Sequence, residues 1–95
     1  MNSISIIVPC YNAEKSIIKN ISLLVKKIKK AKIKNEIIII NDGSTDNTYL
    51  RLKKIKNKSV KTINLKKNYG KSFAVRQGLK KAKSDYIMLI DCDLP

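Results

Sequence analysis

The chain has 95 residues, enough for one domain, and 43% of them are hydrophobic and gathered in discrete runs, which excludes a disordered polymer. Twenty-one Lys+Arg against seven Asp+Glu give a net charge of +14, favouring anionic partners: nucleotide phosphates, a lipid phosphate, an acidic membrane surface or nucleic acid. With no histidine and two cysteines outside any CxxC pair, a zinc centre and a disulfide framework are not expected, and no apolar run approaches the roughly 20 residues of a membrane span.

Residues 1–5 lack the charged start and apolar stretch of a signal peptide, so a cytoplasmic location is expected. Residues 3–8 (SISIIV) predict a strand stopped by Pro9. In the loop that follows, Asn12 is placed to cap a helix and Glu14 falls in its first turn. Ile17, Ile18, Ile21, Leu24, Val25 and Ile28 recur at helical spacing with lysines on the other face, predicting a helix that ends near Lys30. That lysine face lacks interleaved arginines and aromatics, which argues against specific nucleic-acid binding.

Residues 36–40 (EIIII) predict a second buried strand, followed by a turn, NDGSTD, rich in capping side chains. Tyr49, Leu52 and Ile55 continue a short helix, and residues 60–65 alternate as an exposed edge strand. After the turn Asn68-Tyr69-Gly70-Lys71-Ser72, the buried face of a third helix is expected at Ala74, Val75, Gly78, Leu79 and Ala82. Gly78 weakens that helix by about 1 kcal/mol relative to alanine, and close packing on the sheet is the expected reason.

Residues 86–90 (YIMLI) predict a strand buried on both faces, with Asp91 and Asp93 arriving at its carboxyl end. At spacing i, i+2 in extended chain both carboxylates point to one side, close enough to share a hard divalent cation. The pattern β-α-β-α-β-α-β requires an α/β fold with a mainly parallel four-stranded sheet and helices on both faces. The expected strand order is 3-2-1-4, which brings Pro9, Tyr11, Asn12, Asp42, Asp91 and Asp93 to one rim beside a switch point, where such sheets hold ligands. A dinucleotide fold is excluded because no GxGxxG follows the first strand. The Gly70-Lys71-Ser72 run is not a phosphate loop either, since Leu65 stands where a further glycine is needed.

The strings SIIVPCYNAE, EIIIINDGSTDNT, NYGKSFAVRQGL and DYIMLIDCDLP, in this order, resemble the amino-terminal half of family 2 glycosyltransferases across nearly the whole chain. Within that family the chain looks most like the branch that makes polyprenyl-phosphate sugars. The resemblance implies a Rossmann-like half of a GT-A fold and an enzyme that transfers a sugar, with inversion, from a UDP- or GDP-sugar donor to an acceptor such as a polyprenyl phosphate. It implies that Pro9, Tyr11 and Asn12 line the nucleotide pocket, that Asp42 binds base or ribose, and that Lys71 and Arg76 lie near the helix start that faces the donor. Asp91 and Asp93 match the family's DXD motif, the first near the ribose or metal and the second on Mg²⁺ or Mn²⁺.

Several positions depart from the family pattern. Asn41 stands where a further Asp is usual, Ala13 where polyprenyl-phosphate enzymes often have an acid, and Pro95 where they tend to have Gln. Cys10 and Cys92 replace residues that are often Thr and Ala, with small-residue packing the expected role and a redox-responsive pair the alternative. The family's catalytic domain continues past this motif into acceptor-binding strands, so the chain is expected to be a donor-binding half, truncated after the DXD motif and lacking its C-terminal partner half. A peripheral position at the cytoplasmic face of a membrane fits such an enzyme. The rival expectation is a non-catalytic remnant that binds nucleotides or an anionic surface.

Overall fold

A computed structural model of the chain describes residues 2–92. Strands and helices alternate as β1 (Ser3–Cys10), α1 (Ile17–Ala31), β2 (Lys34–Asn41), α2 (Thr48–Leu52), β3 (Val60–Asn64), α3 (Lys71–Lys81) and β4 (Tyr86–Leu89). The four strands form one sheet in the expected order β3-β2-β1-β4, and every neighbouring pair is parallel.

The apolar runs of the two central strands explain the two cores. Successive side chains of a strand point to opposite faces, so a strand covered on both sides must be apolar throughout. Ile6, Val8, Ile37 and Ile39 meet Ile17, Ile21, Leu24 and Ile28 of α1 and Leu52 of α2 on one face. Ile7, Ile38 and Ile40 meet Ala74 of α3 on the other. Gly78 sits where expected: a Cβ there would lie 2.7 Å from Ile7 Cγ2 and 2.8 Å from Ile40 Cδ1, so any larger residue would force these side chains or α3 itself to shift.

Five expectations need correction. β4 is not buried: Tyr86, Ile87, Met88 and Leu89 are 45–58% exposed, because among the described residues β4 pairs with β1 alone and α3 packs over β1 and β2 instead. β1 runs two residues beyond Val8, through Pro9 to Cys10. Pro9 has the parity of Ile7, whose carbonyl faces β4 and accepts from Ile90 N–H (3.0 Å), so its missing donor falls where the β4 ladder has already ended. Cys10, of opposite parity, still accepts from Asp42 N–H (2.9 Å) on the β2 side.

The first helix begins at Ile17 rather than after Asn12, and no acidic residue lies in its first turn. In α2 the buried residues are Thr48 and Leu52, whereas Tyr49 is exposed, and Ile55 packs beside the core from beyond the helix. In α3 the buried residues are Ala74 and Gly78, with Leu79 exposed, because the close approach at glycine leaves contact for only a narrow stripe.

At the amino-terminal edge of the sheet, Glu36 ties three segments together. Its carboxylate accepts from Ser5 Oγ (2.6 Å), from Lys83 N–H (2.7 Å) and from Lys61 Nζ (3.0 Å). Burial alone would raise its pKa, but these donors outweigh burial and hold it below the ordinary 4.5. A lowered carboxyl pKa contributes stability that is complete above the ordinary value and is lost as pH falls through the native one. We therefore expect Glu36→Gln to cost about 2 kcal/mol at neutral pH and to flatten the loss of thermal stability below pH 4.5, read from melting curves of both proteins.

Candidate functional site

The carboxyl ends of β1, β2 and β4 and the start of α3 enclose a pocket of about 420 Å³. Pro9, Cys10 and Tyr11 from the β1 end, Asp42 from the β2 end, Asn68, Gly70 and Lys71 before α3, and Asp91 and Cys92 after β4 line it. Loops from four places in the chain meet here because parallel strands all end at the same edge.

Asp42 is the organising group. It is 4% exposed, and its two carboxylate oxygens accept separately from Tyr69 N–H (2.8 Å) and Gly70 N–H (3.0 Å). The carboxylate thereby holds the turn before α3 against the end of β2. Gly43 makes that approach possible: its φ is +65°, and a Cβ would lie 2.1 Å from the Lys67 carbonyl carbon. Asn41 spends its side chain on Asn64 Oδ1 (3.1 Å) and on the Ser44 hydroxyl (2.5 Å), so it stiffens the turn and does not line the pocket.

Asn12 serves a different end from the one expected. It adopts φ +51°, and its side-chain oxygen accepts from the N–H groups of Thr45 (2.8 Å) and Asp46 (3.3 Å), while its own N–H donates to Ser44 Oγ (2.9 Å). The residue does not cap α1 and does not line the pocket; it staples the loop after β1 to the loop after β2. A second staple lies beneath it. Ala13 N–H donates to the buried Thr48 hydroxyl (2.8 Å), which donates to Asp46 (2.5 Å). Burial acts to raise the Asp46 pKa, but the Thr48 hydroxyl and the backbone donors around it prevail and lower it.

At the mouth, Lys71 Nζ lies 2.6 Å from Asp91 Oδ1, with both side chains more than 60% exposed. Arg76 is not part of this pocket: it lies in the adjoining surface cleft with Ser72, Val75 and Leu89, and Lys71 borders both. Asp93 lies outside the described residues. A carboxylate on an exposed strand end is a suitable hard ligand for Mg²⁺ or Mn²⁺, so Asp91 fits that role, although no cluster of three acidic, Cys or His side chains occurs among the described residues.

Cys10 and Cys92 are both buried and share a side-chain hydrogen bond. That bond, followed by burial and by the nearby Asp46 and Asp42 carboxylates, drives the Cys10 pKa far above its ordinary value. A thiol kept protonated is a poor nucleophile, which favours the packing role. Asn20, a helix residue that periodicity could not single out, donates to the Cys92 carbonyl (2.6 Å) and so positions the segment after β4 from α1.

Comparison with known proteins decides the family. Residues 5–94 match the profile described as glycosyl transferase family 2. The chain belongs to glycosyltransferase family 2. Among curated family members, it is 41% identical to the poly-beta-1,6-N-acetyl-D-glucosamine synthase of Staphylococcus aureus (strain COL), over 98% of this chain and 22% of that protein. It is 32% identical to the undecaprenyl-phosphate 4-deoxy-4-formamido-L-arabinose transferase of Proteus mirabilis (strain HI4320), over 99% of this chain and 30% of that one. The chain thus spans less than a third of the length of these relatives.

Among solved structures, S. aureus TarS 1–349 in complex with UDP-GlcNAc superposes with a TM-score of 0.82 at 32% identity, over 96% of this chain and 26% of that one. The mannosyltransferase PcManGT from Pyrobaculum calidifontis, in complex with GDP-Man and Mn2+, gives a TM-score of 0.85 at 20% identity, over 97% and 28%, which shows a shared fold. The four-stranded sheet described above is therefore the Rossmann-like part of a GT-A glycosyltransferase fold.

Proposed function

We propose that this chain is the donor-binding part of an inverting glycosyltransferase, with its strand-end pocket holding a UDP- or GDP-sugar. The observation that carries the proposal is the meeting of Tyr11, Asp42, Lys71 and Asp91 around one pocket at the switch point of the sheet. Tyr11 offers a ring at the rim, and Asp42 keeps lone pairs for a base or ribose donor beyond its two backbone bonds. The first turn of α3 offers backbone N–H groups and the Lys71 charge to a diphosphate.

Asp91, together with Asp93, would hold Mg²⁺ or Mn²⁺. Such an ion, when bound, supplies positive charge against the negative charge of a departing nucleoside diphosphate. The exposed Lys71–Asp91 pair holds these residues only weakly, so it can open to free Asp91 for the cation and Lys71 for the diphosphate. The UDP-GlcNAc complex of TarS supports this reading of the pocket.

For the acceptor we propose a lipid phosphate, presented at the cytoplasmic face of a membrane and positioned by the remainder of a longer protein. The similarity to an undecaprenyl-phosphate transferase supports it. A phosphate oxygen is already anionic and needs little help from a general base. The second reading, a non-catalytic module for nucleotides or anionic surfaces, draws on the +14 charge.

Titration of the labelled chain with UDP-GlcNAc and GDP-mannose in the presence of Mg²⁺, followed by amide NMR, separates the two. Donor binding shifts the amides of Tyr11, Tyr69, Gly70 and Lys71. Shifts spread over the lysine face of α1, with these four unmoved, would favour the second reading.

A further inference from the structure

Across the sheet from α3, α1 and the segment after α2 enclose a groove of about 790 Å³ that shares no lining residue with the donor pocket. Its apolar floor includes Ile18, Ile21, Val25 and Ile55, with Ile18 still 38% exposed. Its charged lining is Glu14 with Lys15, Lys26, Arg51, Lys54 and Lys56, five cations to one acid. Among the described residues, the ion pairs are Lys61–Glu36 and Lys71–Asp91, so none of the groove cations is held in an ion pair.

We propose that this groove docks the chain on an anionic lipid bilayer, with the rim cations on lipid phosphates and the exposed Ile18 side chain at the headgroup boundary, while Val25 and Ile55, packed partly against the core, form the floor behind it. This deepens the reading above and rests on it in one respect, that the acceptor is held in a membrane. The chemistry of the lining favours lipid over other anionic partners. Lysine is a mobile point charge suited to a diffuse layer of headgroups, whereas protein hot spots favour arginine and aromatic anchors. Single-stranded nucleic acid calls for stacking rings, and the groove lining contains none. An apolar strip bordered by basic side chains is the arrangement by which helices lie in a membrane interface.

The test is co-sedimentation of the chain with phosphatidylcholine vesicles, with and without phosphatidylglycerol. Binding is expected only with the anionic lipid. A variant carrying Lys15→Gln, Lys26→Gln, Lys54→Gln and Lys56→Gln should lose affinity by several hundredfold, at about fivefold per basic residue at the surface. A control with the same charge change, Lys66→Gln, Lys80→Gln, Lys81→Gln and Lys83→Gln, should lose about tenfold or less, and Ile18→Asn should weaken binding with no change in charge. Equal losses in the two quadruple variants would overturn the proposal by showing a response to net charge alone. Failure to prefer anionic vesicles, or binding to RNA or an acidic peptide in place of them, would overturn it as well. UDP-GlcNAc titration of the groove variant, which should match the parent chain, keeps this outcome separate from the donor-site reading.

Discussion

Replacing Gly43 with alanine should destabilise the chain by about 3 kcal/mol or more and disorder the donor pocket. The positive φ of +65° costs an alanine about 1 kcal/mol. The larger part comes from contact: the new Cβ would meet the backbone of Lys67 and Asn68 at 2.1–2.5 Å, and a backbone cannot rotate aside as a side chain can. Relief requires the loop before α3 to move away from the end of β2, at a typical overpacking cost of about 1–3 kcal/mol. That movement would separate Asp42 from Tyr69 and Gly70, so stability and donor binding should fall together. Urea melts read the first effect and nucleotide titration the second. A domain of this size has about 5–14 kcal/mol of stability in all, so the variant should still fold at low temperature.

Asp42→Asn should cost about 2 kcal/mol in stability and at least about tenfold in donor affinity. Asparagine keeps the shape but offers one acceptor oxygen where the carboxylate offers two. One of the two N–H groups would then face an amide donor: Tyr69 N–H would lose its acceptor, whereas Gly70 N–H would keep only its second bond, to Asn68 Oδ1 (3.0 Å). Asp42→Ala removes both acceptors and should cost more. Asp42→Glu retains the charge but overreaches in a buried site, so it should not restore binding. A carboxylate that only contacted the nucleotide would lose affinity without loss of stability, and paired melts and titrations distinguish these cases.

Most of the fold was legible because each element carries its own local signal. The unbroken apolar runs of β1 and β2 identify central parallel strands, and the period of α1 identifies its buried face. The strand order followed from chain order and the placing of the last strand beside the first. The misreadings have a common cause. Composition reports what a segment prefers, and it cannot report what lies next to it. YIMLI is as apolar as a buried strand, yet β4 has β1 on one side and no strand on the other among the described residues.

The rim was legible as a place, since Pro9, Tyr11, Asp42, Lys71 and Asp91 do converge. The division of labour among its residues was not. Asn12 and Asp42 carry side chains suited equally to a ligand and to a neighbouring backbone, and only the separation of loops in space decides between them. Bonds across 27 to 34 positions of sequence, such as those of Asp42 to Tyr69 and of Asn12 to Asp46, leave no periodic trace. The turn glycine Gly43 carries a recognisable signal for positive φ, but its clearance from Lys67 emerges only when two loops are brought together.

Calorimetric titration of the chain with UDP-GlcNAc and with GDP-mannose, each with Mn²⁺ and then with chelator, tests the central claim most directly. The account predicts that at least one of these donors binds only when the cation is present, and that Asp91→Ala and Asp93→Ala each weaken binding by about tenfold or more. Binding that is indifferent to the cation and to both substitutions, or no binding of either donor, would contradict it.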